Sequence, residues 1–236
     1  MRLRITLTAK KLPAFLDFNH NYWLASMIYR AVERADPELS LDLHKPAGFK
    51  FFTFSRLLVK DRKFRIAGER MEMLTPEAYF FFSSPRKYLC ACLVDGLLQK
   101  PEVKIGDVEF SVSEVKVLKE REVGCKERFV TLSPINVTAS GDRTVDLYPD
   151  NPKFYENLRE NLVKKYTAFY GKEPEGELDV TVVRAKPVRI RVKDTYHRAS
   201  LMVFDARGDK RLLEMGYQAG FGSKNSMGFG MVKVVK

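Results

Sequence analysis

One order of segments occurs twice along this chain, and that repeat restricts its fold more than any other feature. Arg2 to Thr8 alternates apolar and polar residues as a strand does. Tyr22 to Ala35 follows as a helix, with Leu24, Met27, Ile28, Ala31 and Val32 at helical spacing, and Asp36-Pro37 stops it. Phe51 to Val59 and Glu77 to Ser83 are rich in aromatic and branched residues and read as strands. Ser84-Pro85 reads as a cap and first-turn proline for a helix to Leu98; Pro101 ends it, and Val108 to Leu118 alternates again. After a charged connection, Lys119 to Arg128, the series restarts. Phe129 to Val137 is a strand interrupted by Ser133-Pro134. Asn151-Pro152 opens a helix through Phe169, with Phe154, Leu158, Leu162, Tyr166 and Phe169 on one face. Val180 to Val192 and Ala199 to Phe204 read as strands, Asp209 to Gln218 as a short helix, and Met231 to Val235 as the closing strand.

Each half thus runs β-α-β-β-α-β, the ferredoxin-like arrangement. The predicted fold class is α+β, two tandem ferredoxin-like domains over residues 1–122 and 123–236. Two copies of one small fold explain 236 residues better than one large domain.

Charge narrows the partner. Lys and Arg number 41 against 30 Asp and Glu, a formal net charge of +11. Such an excess points first to nucleic acid and second to an anionic membrane surface. No apolar run approaches the roughly 18 residues of a membrane span. The alternating N-terminus lacks the longer apolar stretch of a signal peptide, so a cytoplasmic protein without a membrane partner is expected. Cys90 and Cys92 are separated by one residue, Cys125 stands alone, and the histidines are His20, His44 and His197. That is neither a disulfide framework nor a zinc pattern, and no metal or cofactor is expected.

Near the end of the chain, Gly220-Phe221-Gly222-Ser223-Lys224-Asn225-Ser226-Met227-Gly228-Phe229-Gly230 sets four glycines around a polar centre. Glycine admits positive φ and close approach to a ligand, and backbone N–H groups freed in this way can cradle an oxyanion. Lys224 adds a cation, and Ser223, Asn225 and Ser226 add hydrogen-bonding groups. The segment is not a Walker loop, because no Gly-Lys-Ser/Thr ends it and a strand follows. The plainer reading is a glycine-lined turn before the last strand. A second basic feature is the run Arg184, Lys186, Arg189, Arg191 and Lys193, in which 189, 191 and 193 share one face of a strand. It is read as RNA-binding, against the alternative of a lysine-guarded edge. Phe49, Phe51, Phe52 and Phe54 are candidates for base stacking, although sheet core is the commoner use. His20 and His197 show no identifiable partner, and Trp23 is read as packing.

Candidate chemistry lies in the first half. At about 100° per residue, Tyr29 falls off the Leu24/Ile28/Ala31 stripe, on a flank of its helix. His44 follows in Leu41-Asp42-Leu43-His44-Lys45-Pro46, read as a loop, and Lys50 stands at the start of the Phe51 strand. Singly, each is an ordinary surface residue. Together they supply an acid–base pair and a cation, with histidine suited to proton transfer near neutral pH.

At these residues the chain resembles the CRISPR-associated repeat-RNA endoribonucleases, the Cas-six family of archaeal type in the RAMP superfamily. Tyr29, His44 and Lys50 carry the resemblance with their spacing, together with Asn19-His20-Asn21-Tyr22, Val130-Thr131-Leu132-Ser133-Pro134-Ile135 and the Gly220–Gly230 segment. The resemblance spans nearly the whole chain. It implies two ferredoxin-like domains and cleavage within the repeats of a CRISPR transcript to release guide RNAs. The implied reaction is metal-independent: the RNA 2′-OH attacks the adjacent phosphate, leaving a 2′,3′-cyclic phosphate and a 5′-OH. By the resemblance, Tyr29 assists deprotonation of the 2′-OH, His44 protonates the departing oxygen, and Lys50 stabilises the phosphorane. The residue types leave the converse open, because a tyrosine of ordinary pKa, about 10, is a poor base at neutral pH. His44 then serves as base while Tyr29 orients the RNA. The implied partners are CRISPR repeat RNA, a CRISPR effector complex receiving the product, and a second copy in a homodimer. Two other readings stand beside this one: a protein that holds repeat RNA without cutting it, and a tandem RNA-recognition module. The latter lacks the expected Lys/Arg-Gly-Phe-Gly-Phe-Val run.

Overall fold

In a computed structural model, which describes residues 1–139 and 144–235, contacts divide the chain into two units. The first is Met1–Ala47 with Ser55–Lys119; the second is Gly48–Phe54 with Glu120–Lys236.

The first unit is organised on β1 (Arg2–Ala9), whose Leu3, Ile5 and Leu7 alternate into the core. After the short β2 (Ala14–Asp17), α1 (Asn21–Ala35) buries Leu24, Ile28, Ala31 and Val32. Asp36 ends α1 through its N–H to Val32 O and at once caps α2 (Pro37–His44), its carboxylate accepting from Leu39 N at 2.9 Å. The sequence reading took Asp36-Pro37 only as a stop. The same pair is also a start, with proline at the first helical position. His44 is therefore the last residue of a helix and not a loop residue.

The chain passes through Gly48–Phe54, which ends in the two-residue β3 (Thr53–Phe54) and belongs to the second unit. It re-enters the first unit in β4 (Leu58–Val59), then forms β5 (Phe64–Ala67), β6 (Arg70–Met73) and β7 (Glu77–Ser83). The single strand expected over Phe51 to Val59 is thus two fragments. Phe51 takes φ 56°, which no strand residue adopts, and Leu57 N–H is spent on the His20 ring. α3 (Lys87–Gln99) starts two residues after Pro85, with Arg86 as its cap residue. Gly96 of α3 lies so close to α1 that a Cβ would sit 1.7 Å from Ala31 O. β8 (Glu102–Ile105) and β9 (Val108–Leu118) close the unit as a hairpin. β1 lies between β7 and β9, with β4 on the outer side of β7. A separate sheet, β2-β6-β5, was not foreseen.

The second unit repeats the plan. β10 (Lys126–Thr131) is followed by the hairpin β11 (Val137–Ala139) and β12 (Val145–Leu147). α4 (Lys153–Tyr170) buries Phe154, Leu158, Leu162 and Tyr166, and Gly171 ends it at φ 70°. β13 (Leu178–Val192) and β14 (Thr195–Gly208) form a long hairpin. α5 (Lys210–Ala219) is capped by Asp209, and β15 (Val232–Val235) is the last strand. The sheet order is β13-β14-β10-β15. Numbering the four principal strands of each unit by sequence, both sheets run second, third, first, fourth. Phe129, Phe204 and Phe221 meet at ring separations of 5.2–5.4 Å in the core of this unit.

Candidate functional site

Tyr29 and His44 come together. α1 presents Tyr29 from its flank, half-buried, and the last turn of α2 brings His44 over it. The ring centroids are 4.8 Å apart with planes tilted by 35°. The short link at Asp36 makes this meeting possible, because it turns one helix into the next without a spacer. Tyr88 Oη donates to Asp36 Oδ2 at 2.8 Å, tying α3 to the same corner. His44 is exposed. The pair therefore offers a phenol and an imidazole in contact at the surface of the first unit.

Lys50 is carried by the second unit, half-buried and ahead of β3 rather than in a strand. There it shares a cavity of about 250 Å³ with the glycine-rich segment: the walls are Gly48–Phe52, Asn161, Lys165 and Gly222–Ser226. So one residue read as catalytic and a loop read as RNA-binding line one cavity, which their separation in sequence gave no way to foresee.

The loop itself is held by its own unit. Gly222 and Gly230 have φ of 70° and 80°, and a Cβ would stand 2.3 Å from Asn136 O at the first and 2.0 Å from Phe221 O at the second. The room that glycine leaves is filled by protein carbonyls. Several backbone donors are likewise committed: Phe221 N to Gly230 O, Ser223 N to Asn136 O, and Gly230 N to Pro134 O. Asn225 is an internal strut, its Nδ2 donating to Phe221 O and Phe229 O at 3.1 Å each. Thr53 Oγ1 donates to Phe229 O at 2.9 Å, fastening β3 to the same loop. Lys165, which the sequence reading passed over, reaches the loop from beneath. Its Nζ donates to Gly220 O at 2.6 Å, Asn225 Oδ1 at 2.7 Å and Gly222 O at 3.2 Å. Ser223, Lys224 and Ser226 are half-buried and line the cavity, with Ser223 Oγ 3.1 Å from Thr138 Oγ1 and Lys224 itself at φ 56°.

Of the basic run, Arg184, Lys186, Arg189, Arg191 and Lys193 are all exposed on β13 or its turn, and among the described residues β13 pairs only with β14. Arg189 and Arg191 share a face opposite buried Ile190 and Val192, as a two-residue period requires. Lys193 sits in the turn at φ 52°, off that face. The Arg189 guanidinium lies 4.2 Å over the Tyr196 ring. The stacking candidates fare differently: Phe51, Phe52 and Phe54 are 6%, 1% and 0% exposed and belong to the core, with Phe51 against Phe169.

The model for "CRISPR-associated protein Cas6, N-terminal" matches residues 15–116, and that for the Cas6 C-terminal region matches 115–234. The chain belongs to the Cas6 family. A relative from Methanocaldococcus jannaschii named CRISPR-associated endoribonuclease Cas6 1 is 41% identical over 98% of this chain and 92% of its own. A Pyrococcus furiosus relative named CRISPR-associated endoribonuclease Cas6 is 39% identical over 93% of this chain and 83% of its own. A solved Cas6-related protein of Pyrococcus furiosus superposes with TM-score 0.93 at 36% identity, over 100% of this chain and 98% of that one. Another structure, described as "an RAMP protein binding different RNA substrates", superposes with TM-score 0.92 at 34% identity over the whole of both chains.

In this Cas6-family chain the two remaining histidines have distinct settings. His20 is buried; its Nδ1 meets Asp17 O at 2.9 Å and its Nε2 accepts from Leu57 N at 3.0 Å, which fixes a neutral ring with the proton on Nδ1. Burial, with the nearby Arg56 cation, pushes its pKa down to about 4. His197 on β14 lies 3.6 Å from Asp146 Oδ2, and burial followed by the Lys224 charge lowers its pKa. A histidine leading into a helix gives no periodic signal, and a histidine in a strand does not name a partner about fifty residues away, so neither setting was legible. Among the described residues no group of three or more His, Cys, Asp or Glu is placed to hold a metal ion, and no helix is long and apolar enough to cross a membrane.

Proposed function

We propose that this chain is an endoribonuclease that cuts CRISPR precursor transcripts within their repeats and releases guide RNAs. The observation that carries the reading is the Tyr29–His44 contact, a phenol on an imidazole at 4.8 Å, in a chain 41% identical to a named CRISPR-associated endoribonuclease. Each unit is read as a ferredoxin-like domain, supported by the shared strand order; the division is near residue 122, with Lys50 carried by the second domain.

The reaction is transesterification without a metal. The 2′-oxygen forms a bond to phosphorus and the P–O5′ bond breaks. The proton leaving the 2′-OH goes to the base, and the acid delivers one to the departing 5′-oxygen. The nucleophile belongs to the substrate, so the protein has to position it, move protons and neutralise charge. His44 and Tyr29 divide the proton work, with His44 the acid and Tyr29 assisting deprotonation, or the converse. Lys50 offsets the phosphorane charge. Ser223, Lys224, Ser226 and the β13 cations hold the RNA backbone, while Gly220, Gly222, Asn225, Gly228 and Gly230 shape the loop that presents them. The cytoplasm is the proposed location; an effector complex receiving the product and a homodimer are the proposed partners beyond RNA.

The test is repeat RNA incubated with the protein in EDTA, followed by mass spectrometry of the fragments. Cleavage that survives EDTA and leaves a 2′,3′-cyclic phosphate is expected. A 3′-OH end, or a need for Mg²⁺, overturns the mechanism. Tight binding without cleavage makes the chain a repeat-RNA holder instead.

A further inference from the structure

Lys165 is the lysine that the described residues bury most deeply. It lies on α4 beside the apolar row Leu158–Leu162–Tyr166, is 1% exposed, and among the described residues has no carboxylate in ion-pair range. A buried, unpaired charge is costly, and a chain that keeps one needs a compensating use for it. Its partners are three oxygens at 2.6, 2.7 and 3.2 Å, two of them backbone carbonyls of the glycine-rich loop and one the Asn225 amide. An ammonium has three donors and no lone pair, so this trio matches the charged form. Those hydrogen bonds neutralise no net charge. Lys165 also lines the 250 Å³ cavity with Lys50 and Lys224, so three cations face one small space.

We propose that Lys165 is a positioning residue for RNA: it templates the glycine-rich loop from below, and its charge is completed when a backbone phosphodiester enters the Lys50–Lys224 cavity. Nζ does not touch the phosphate, because its three donors are already taken. It acts through the loop it holds and through its field, which is stronger in a desolvated site than in water. Burial pushes the Lys165 pKa down to about 7, so the free protein holds this amine near its titration midpoint at neutral pH. A phosphate arriving in the cavity favours the protonated form, and RNA binding takes up a proton. The neighbouring titratable and charged groups are Lys50 on the 48–54 segment and Lys224 on the loop. Beyond Lys224 stand His197 of β14 and Asp146 of β12. α5 directs Arg211 and Glu214 to the Tyr166–Tyr170 side of α4.

This inference rests on the RNA-processing reading, and the experiment separates the two. Repeat-RNA binding is measured by calorimetry at pH 7.5 in buffers of different ionisation enthalpy, for wild type, Lys165→Met and His197→Asn, with single-turnover cleavage at saturating RNA. Wild type and His197→Asn are expected to take up protons on binding, and Lys165→Met to take up none. Lys165→Met is also expected to bind about tenfold more weakly, and its cleavage rate at saturating RNA to fall less than that of His44→Ala. A purely structural lysine lowers the melting temperature but leaves the proton uptake of the folded protein unchanged; that result, or wild-type affinity in Lys165→Met, overturns the proposal. If Lys165→Met does not fold, Asn225→Ala takes its place. It removes one of the three acceptors and keeps the charge, so weaker binding with proton uptake retained is expected, and unchanged affinity overturns the proposal. Failure of wild type to bind repeat RNA at all defeats the functional reading rather than this one.

Discussion

The two units share a strand order and use their helices in opposite ways. In the first, α1 and α2 bring Tyr29 and His44 to the surface, and the Asp36 cap with its bond from Tyr88 helps to fix the corner between them. In the second, α4 buries its functional side chain and uses it to fasten a loop whose backbone is already bonded at Phe221, Ser223 and Gly230. Groups that move protons must reach substrate and water, and here His44 is exposed and Tyr29 half-buried. A surface that receives a phosphate must be rigid before the phosphate arrives, so it is bonded from within. The proposed contrast is between proton-moving side chains on one unit and, on the other, a loop bonded from within that shares its cavity with Lys50, the proposed phosphorane cation. Substitutions should separate the two.

The largest effect is expected at His44. His44→Ala removes one partner of the exposed pair and should slow repeat-RNA cleavage by a factor on the order of 10²–10⁴, the usual scale of lost acid–base catalysis. Because His44 is exposed and buries little, melting temperature and RNA affinity should hold near wild type. Single-turnover rates and binding isotherms on the same preparation check this. An affinity loss equal to the rate loss would place His44 among the binding residues and dissolve the contrast.

Gly222→Val is the counterpart in the second unit. Its Cβ would stand 2.3 Å from Asn136 O, at a backbone φ of 70°. Overlap with a backbone carbonyl adds to left-handed strain, together about 3 kcal/mol or more. The melting temperature should fall by several degrees, and RNA affinity with it, while the cleavage rate at saturating RNA changes less than in His44→Ala. A variant as stable as wild type would show that the loop yields where it is read here as rigid.

Buried His20 gives the first unit an acid limit of its own. The ring is neutral, donating from Nδ1 to Asp17 O and accepting Leu57 N–H at Nε2, so protonation sets two N–H groups against each other. Its folded pKa is about 4 against an ordinary 6.5. Between these values the unfolded chain binds more protons than the folded one. The stabilising contribution is therefore complete above pH 6.5 and lost as pH falls to 4, about 3 kcal/mol in all. Urea denaturation from pH 7 to 4 measures it; His20→Gln should start less stable and lose correspondingly less. Equal acid sensitivity in both proteins would assign the loss to other groups.

Periodicity made the architecture legible, because strands and helices imprint it directly: Glu77–Ser83 and Val108–Leu118 coincide with the expected bounds. Short elements carry too few residues to show a period. That hid α2, although Asp36-Pro37 was in view as a helix stop, and it hid β2, β5, β6 and β8. Tyr29 was legible as a residue off the apolar stripe, and its contact with His44 gives that position a partner. Which backbone and side-chain atoms a loop spends on itself depends on long-range contacts and leaves no local pattern. The Phe51 to Phe54 run went to the core, the commoner use expected of it, and Lys165, which the sequence reading passed over, is buried against residues more than fifty positions away.

The smallest expected effect tests the cavity face of the loop. Lys224 contributes little to the loop's own bonding: its carbonyl accepts from Met227 N, while its side chain lines the cavity with Ser223 and Ser226. Lys224→Ala should therefore leave the melting temperature within about one degree of wild type, as for a surface change away from core and caps. If that side chain meets one phosphate, its loss releases one fewer counterion, and the slope of log K against log salt should shrink by about 0.7 for a single strand. The affinity difference should be largest at low salt and close as salt rises, because the lost interaction is screened. His197 supplies an internal check. The Lys224 charge helps to hold its pKa low, so Lys224→Ala should raise the His197 titration midpoint seen by NMR, confirming that the two side chains are close. An unchanged melting temperature with RNA binding unchanged at every salt would show an intact loop that receives no phosphate. The contrast between a chemical unit and a phosphate-receiving unit would then have to be redrawn around the β13–β14 hairpin.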